Sequence, residues 1–123
     1  MPQHPAPHAG RSALIVDDSE DQAHLLQVHL ERLGFSVSVV GSAEAAMDSY
    51  RRIEPTVAVV DLLLPGMNGW QLVEAMKAEV AGSRLVVTSV LDAEDYPAAD
   101  AVLPKPFTFR QVARTMDTIF PTG

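Results

Sequence analysis

Five short apolar runs begin near positions 13, 36, 57, 85 and 101, and most of the stretches between them change to helical spacing. Leu25, Leu26, Leu30 and Leu33 share one face of a helix predicted from about Glu20 to Leu33, with Gly34 as its stop and Asp18 or Ser19 as its cap. Ser42 caps a second helix that runs to about Ile53 and must end before Pro55. Asn68-Gly69 opens a third, with Leu72, Val73, Met76 and Val80 inward and Gly82 closing it. Thr108 caps a last one, on which Val112, Met116, Ile119 and Phe120 form a stripe. Apart from Ser36-Val37-Ser38-Val39-Val40, the apolar runs do not alternate with polar residues, so both faces of the sheet are expected to be covered. Strand-helix alternation of this kind predicts an α/β protein with a parallel sheet and helices on both faces. One interval breaks the rhythm. Ser89 to Asp100 spans only 12 residues and contains Pro97, so the fourth crossover is expected to hold a short or irregular helix.

The polar residues that end these runs carry the chemistry. Thr56-Val57-Ala58-Val59-Val60 ends in Asp61, and Ala13-Leu14-Ile15-Val16 ends in Asp17-Asp18. Leu85-Val86-Val87 ends in Thr88, and Ala101-Val102-Leu103 is followed by Pro104-Lys105-Pro106. Ligands of open α/β sheets bind in the crevice outside the strand C-termini. If these strands lie side by side, three carboxylates, a hydroxyl and an ammonium converge on one pocket. Such a group of side chains suits phosphoryl transfer to a carboxylate with the help of a divalent cation.

Composition narrows the alternatives. A chain of 123 residues, 47% hydrophobic and 20% charged, fits one globular domain. The net charge of -7 argues against direct nucleic-acid binding, which needs a basic patch. With no cysteine there is no disulfide and no thiolate metal site, in keeping with a cytoplasmic protein. No apolar stretch approaches the roughly 18 residues of a membrane span, so no membrane partner is expected. Residues 1–11, rich in proline, are expected to form a flexible extension, 12–120 the domain and 121–123 a tail. All four histidines are expected to be solvated, His4 and His8 in that extension and His24 and His29 on the first helix. Trp70 is expected to serve in packing.

From Ser12 to Phe120 the chain resembles the receiver domain of two-component response regulators. The resemblance rests on Asp17-Asp18, Asp61, Thr88 and Lys105-Pro106-Phe107 in this order, with Pro65-Gly66 and Gly69 between. It implies a five-stranded sheet in order 2-1-3-4-5, flavodoxin-like, and a phosphorylation-dependent switch in place of a turnover enzyme. In such a switch Asp61 accepts the phosphoryl group from a histidine kinase or a histidine phosphotransfer protein and signals to a downstream protein target. Asp17, Asp18, Asp61 and the Leu63 backbone carbonyl are then expected to hold Mg²⁺, with Mn²⁺ as the alternative, because all-oxygen sites favour hard cations. Lys105 is expected on one phosphoryl oxygen, and the Thr88 hydroxyl with the Ser89 backbone N–H on another.

Two other readings compete. A phosphatase with an aspartate nucleophile would carry a second acid two residues on, where this chain has Leu63. A pseudo-receiver that binds partners without phosphorylation would normally lack one of the acids or the lysine. Two departures from the family concern output. Val102 stands where many receivers have a rotating aromatic ring, and the interval between Thr88 and Lys105 is about five residues short. Signalling is therefore expected to act on the segment 89–100, mobile without phosphate and ordered with it.

Overall fold

The computed structural model describes residues 7–64, 69–79, 82–90 and 98–121. Its elements run β1 (Ser12–Val16), α1 (Glu20–Arg32), β2 (Ser36–Val40), α2 (Ala43–Ile53), β3 (Val57–Asp61), α3 (Gly69–Glu79), β4 (Arg84–Ser89), β5 (Ala101–Pro104) and α4 (Phe109–Ile119). The five strands form one parallel sheet in the order β2-β1-β3-β4-β5. Both the α/β class and the strand order agree with the expectation from sequence. Residues 91–97, which make up most of the shortened fourth crossover, lie outside the described residues. So does most of the segment expected to order on signalling.

The uninterrupted apolar strands are explained by two cores, one on each face of the sheet. Side chains of successive strand residues point to opposite faces. Ala13, Ile15, Val57, Val59 and Val86 therefore pack with Leu26 and Leu30 of α1 and with Val112 and Met116 of α4. Leu14, Val16, Ala58, Val60 and Val87 pack with Ala46 and Tyr50 of α2 and with Leu72, Val73 and Met76 of α3. All five residues of β3 are buried, as suits the central strand.

Local signals fix the helix ends. The Ser19 side chain accepts from the Gln22 N–H at the start of α1, and the Ser42 side chain accepts from Ala45 at α2. Thr108 and Gln111 form a reciprocal capping box at α4, satisfying two otherwise unpaired donors. Gly34, at φ 108°, turns the chain out of α1 in a conformation that side chains disfavour.

The N-terminal histidine departs from expectation. His8 is fully buried. Its ring stacks on Phe35 at 5.0 Å between centroids and meets Phe120 edge-on. Its Nε2 lies 3.0 Å from Asp117 Oδ1 and its Nδ1 3.1 Å from an Arg11 guanidinium nitrogen. Guanidinium has no acceptor, so Nδ1 accepts from Arg11 and Nε2–H donates to Asp117. The proline-rich composition suggested a loose tail, yet an aromatic ring with both polar tips satisfied is stable in an apolar setting. Residues 1–6, including His4, lie outside the described residues. His29 also differs from expectation: it is half-buried, 5.5 Å from the Phe109 ring and 6.3 Å from that of Phe107. Burial, and secondarily the neighbouring Arg32 charge, lowers its pKa. His24 is exposed as expected.

Candidate functional site

The C-terminal ends of β1, β3, β4 and β5 bring five of the predicted side chains together: Asp17, Asp18, Asp61, Thr88 and Lys105. The register aligns Asp61 with Thr88 and Thr88 with Leu103, so β3, β4 and β5 end side by side. Asp17 follows β1, and its backbone N–H donates to Val40 O at 3.1 Å. Asp17 and Asp61 are buried, whereas Asp18 is exposed. One carboxylate oxygen from each of the three lies within 4.8 Å of the others. A cleft of about 650 Å³ opens beside Asp17 and Asp18, walled by α1 and the end of β2.

Each buried carboxylate is held at both oxygens. Asp61 Oδ1 accepts from the Leu63 N–H at 2.9 Å, and Oδ2 accepts from Lys105 Nζ at 2.8 Å. Asp17 Oδ1 accepts from the Ser19 N–H at 2.9 Å, and Oδ2 accepts from the same Nζ at 2.9 Å. Lys105 reaches both because its own N–H is fixed to Ser89 O at 2.9 Å, directly after β5. Burial alone would lower the Lys105 pKa, but the bonds and charges of Asp61 and Asp17 outweigh it and raise the pKa above the usual lysine value. The ammonium stays charged and bridges the two acids.

This arrangement leaves a surplus of negative charge. Three carboxylates and one ammonium sum to minus two, and two like charges about 5 Å apart repel by roughly 3 kcal/mol at an effective dielectric near 20. A divalent cation would cancel that surplus. The three clustered carboxylates supply only oxygen donors, which fits Mg²⁺ or Mn²⁺ and not zinc.

Thr88 stands opposite Asp61 across the β3–β4 ladder, but its hydroxyl is already engaged. The Thr88 hydroxyl is buried and donates to Leu103 O at 2.6 Å, a bond across to β5 that the sequence did not suggest. Ser89 is buried as well. Leu63 and Val90, the residues two beyond Asp61 and Thr88, are exposed, Val90 by 68%. Trp70 packs against the core on the α2–α3 face, as expected.

Two further features are not evident from the sequence. The pairing of Lys105 with Asp17 has no local signal because 88 residues separate them. Gly69 does more than open α3: it lies directly against the backbone of Leu62, and its N–H donates to Leu62 O at 3.1 Å.

Comparison with known proteins bears on the same residues. Residues 13–117 match the family model of the response regulator receiver domain. The DNA-binding response regulator MtrA of Mycobacterium tuberculosis is 31% identical over 99 residues, which are 76% of this chain and 43% of MtrA. The chain thus spans less than half the length of that relative. A response regulator receiver domain from Methylobacillus flagellatus superposes with a TM-score of 0.81 at 27% identity, covering 89% of this chain and 98% of that one. A two-component response regulator from Clostridium difficile, at 18% identity and a TM-score of 0.83 over 89% of this chain and 95% of that one, shares the fold.

Proposed function

Because the chain belongs to the response regulator receiver domain family, we propose that it is a phosphorylation-dependent switch whose acceptor is Asp61. Receiver domains of this family are signalling switches that interact with histidine kinases, and the donor here is a phosphohistidine on such a kinase or on a histidine phosphotransfer protein. An Asp61 carboxylate oxygen forms the new bond to phosphorus while the donor P–N bond breaks, its electron pair returning to the imidazole nitrogen. Phosphoryl transfer asks mainly for positioning and charge neutralisation. The Leu63 N–H supplies the positioning, since it holds one Asp61 oxygen at 2.9 Å and fixes the plane of the carboxylate.

Lys105 supplies part of the neutralisation. Its ammonium moves from the two carboxylates to an oxygen of the incoming phosphoryl group, a short shift because it already touches Asp61. Asp17, Asp18, Asp61 and the Leu63 carbonyl would hold Mg²⁺, which would supply positive charge to the phosphoryl oxygens. The Thr88 hydroxyl and the Ser89 N–H serve another phosphoryl oxygen. The observation that carries this reading is the Lys105 ammonium set between Asp61 and Asp17 with Asp18 alongside.

Acetyl phosphate with Mg²⁺ is the direct test. The wild-type protein is expected to gain the mass of one phosphoryl group, lost again in hydroxylamine. Asp61→Asn lacks the nucleophilic oxygen and is expected to gain none. An equal gain in Asp61→Asn removes the assignment.

A further inference from the structure

The contact between Gly69 and the chain just after Asp61 is tighter than any side chain allows. A Cβ on Gly69 would lie 2.3 Å from Leu62 Cα and 2.9 Å from both Asp61 O and Leu62 C. All three are main-chain atoms, so no rotamer change relieves the overlap. Leu62 has no room to retreat either. Its side chain is fully buried in the core beneath α2 and α3, and its N–H donates to Thr88 O at 3.1 Å. It is held by β4, by the core and by the first residue of α3.

The next residue along is Leu63, whose N–H sets the Asp61 carboxylate. Resting on the reading of Asp61 as acceptor, we propose that Gly69 is a positioning residue for phosphoryl acceptance. Its seat on Leu62 fixes the peptide that orients the Asp61 carboxylate and presents the Leu63 carbonyl. The glycine acts through the Leu62–Leu63 backbone and does not touch the reacting atoms. A methyl group there moves Leu62 and carries the Leu63 N–H off Asp61 Oδ1. A displacement of about 1 Å at such a distance from the chemistry is enough to cost about 100-fold in rate.

The experiment compares Gly69→Ala with Met76→Ala, a cavity-forming change on the same helix that faces the core and lies in no part of the site. Initial rates of labelling by acetyl phosphate are measured per folded molecule, and Mg²⁺ affinity by calorimetry. Gly69→Ala is expected to lower the labelling rate at least tenfold at saturating Mg²⁺ and to weaken Mg²⁺ binding. Met76→Ala, though destabilised, is expected to stay within twofold of wild type in both. Equal rates in Gly69→Ala and wild type overturn the inference, and so does an equal loss in Met76→Ala. Absence of labelling in wild type overturns instead the acceptor reading beneath it, and the inference falls too. Should Gly69→Ala not fold, amide exchange in wild type decides. Mg²⁺ with beryllofluoride is then expected to slow exchange at Leu63 and Gly69 together, and a gain at Leu63 with none at Gly69 overturns the proposal.

Discussion

Two polar clusters sit at opposite ends of the sheet, and they differ in charge balance. Beyond the strand C-termini, Asp17, Asp18 and Asp61 share the single ammonium of Lys105. Before β1, His8 lies between one cation, Arg11, and one anion, Asp117. Both join residues remote in sequence, and both bury polar atoms with their partners supplied. Only the first carries an excess of like charge, which costs stability for as long as no cation offsets it. Buried polar groups that balance belong to the fold, and those held out of balance point to a ligand.

The largest expected effect comes from breaking the balanced cluster. His8→Ala removes a buried ring stacked on Phe35 and leaves Arg11 and Asp117 without their shared partner. The expected loss is about 2–4 kcal/mol in urea unfolding, the range of large-to-alanine core changes. Labelling of the folded protein by acetyl phosphate should not change. A loss below about 0.5 kcal/mol, the scale of surface substitutions, would return the segment to the status of a loose tail.

Asp18→Ala tests the other cluster in the opposite sense. Removing an exposed carboxylate from a surplus of like charge should leave stability unchanged or slightly raised. Mg²⁺ affinity should nevertheless fall about tenfold, equivalent to about 1.4 kcal/mol. Fluorescence of Trp70, the second residue of α3, reports the titration. An unmoved titration curve would show that the excess charge is not there for the cation.

The smallest effect concerns the lifetime of the acyl phosphate. Leu63 and Val90 are exposed, and their aliphatic side chains offer an attacking water no hydrogen bond. The wild-type phosphoprotein should therefore lose phosphate slowly. Leu63→Asn with Val90→Gln should hasten the loss several-fold in purified protein. Loss within seconds in wild type, or no acceleration in the double variant, contradicts the shielding.

How far these clusters could be read from the chain follows from how each is built. The acidic cluster was legible because Asp17, Asp18, Asp61 and Lys105 each end an apolar run, and parallel strands of one sheet place such ends together. Helix starts at Ser19, Ser42 and Thr108 were legible because a cap is a local bond. His8 was not, since its burial depends on Phe35, Asp117 and Phe120 meeting in space, and nothing near position 8 announces them. Gly69 was half legible: a glycine at a helix start suggests a turn, while its closeness to Leu62 exists only once α3 is laid against β3. The bond from the Thr88 hydroxyl to Leu103 likewise needs the pairing of β4 with β5.

That last bond has a consequence for energetics. A hydroxyl owns one proton, so Thr88 can donate to Leu103 O or to a phosphoryl oxygen, never to both at once. If Thr88 serves the phosphoryl group as proposed, its engagement would be an exchange of acceptors, contributing the difference between two hydrogen bonds. Since a bond to a charged acceptor is worth about 1–2 kcal/mol more than one to a neutral carbonyl, the exchange is favourable by little. A small driving force is easily reversed when the phosphate leaves. On that reading the hydroxyl would be a two-position toggle, while β5 stays paired to β4 along its backbone.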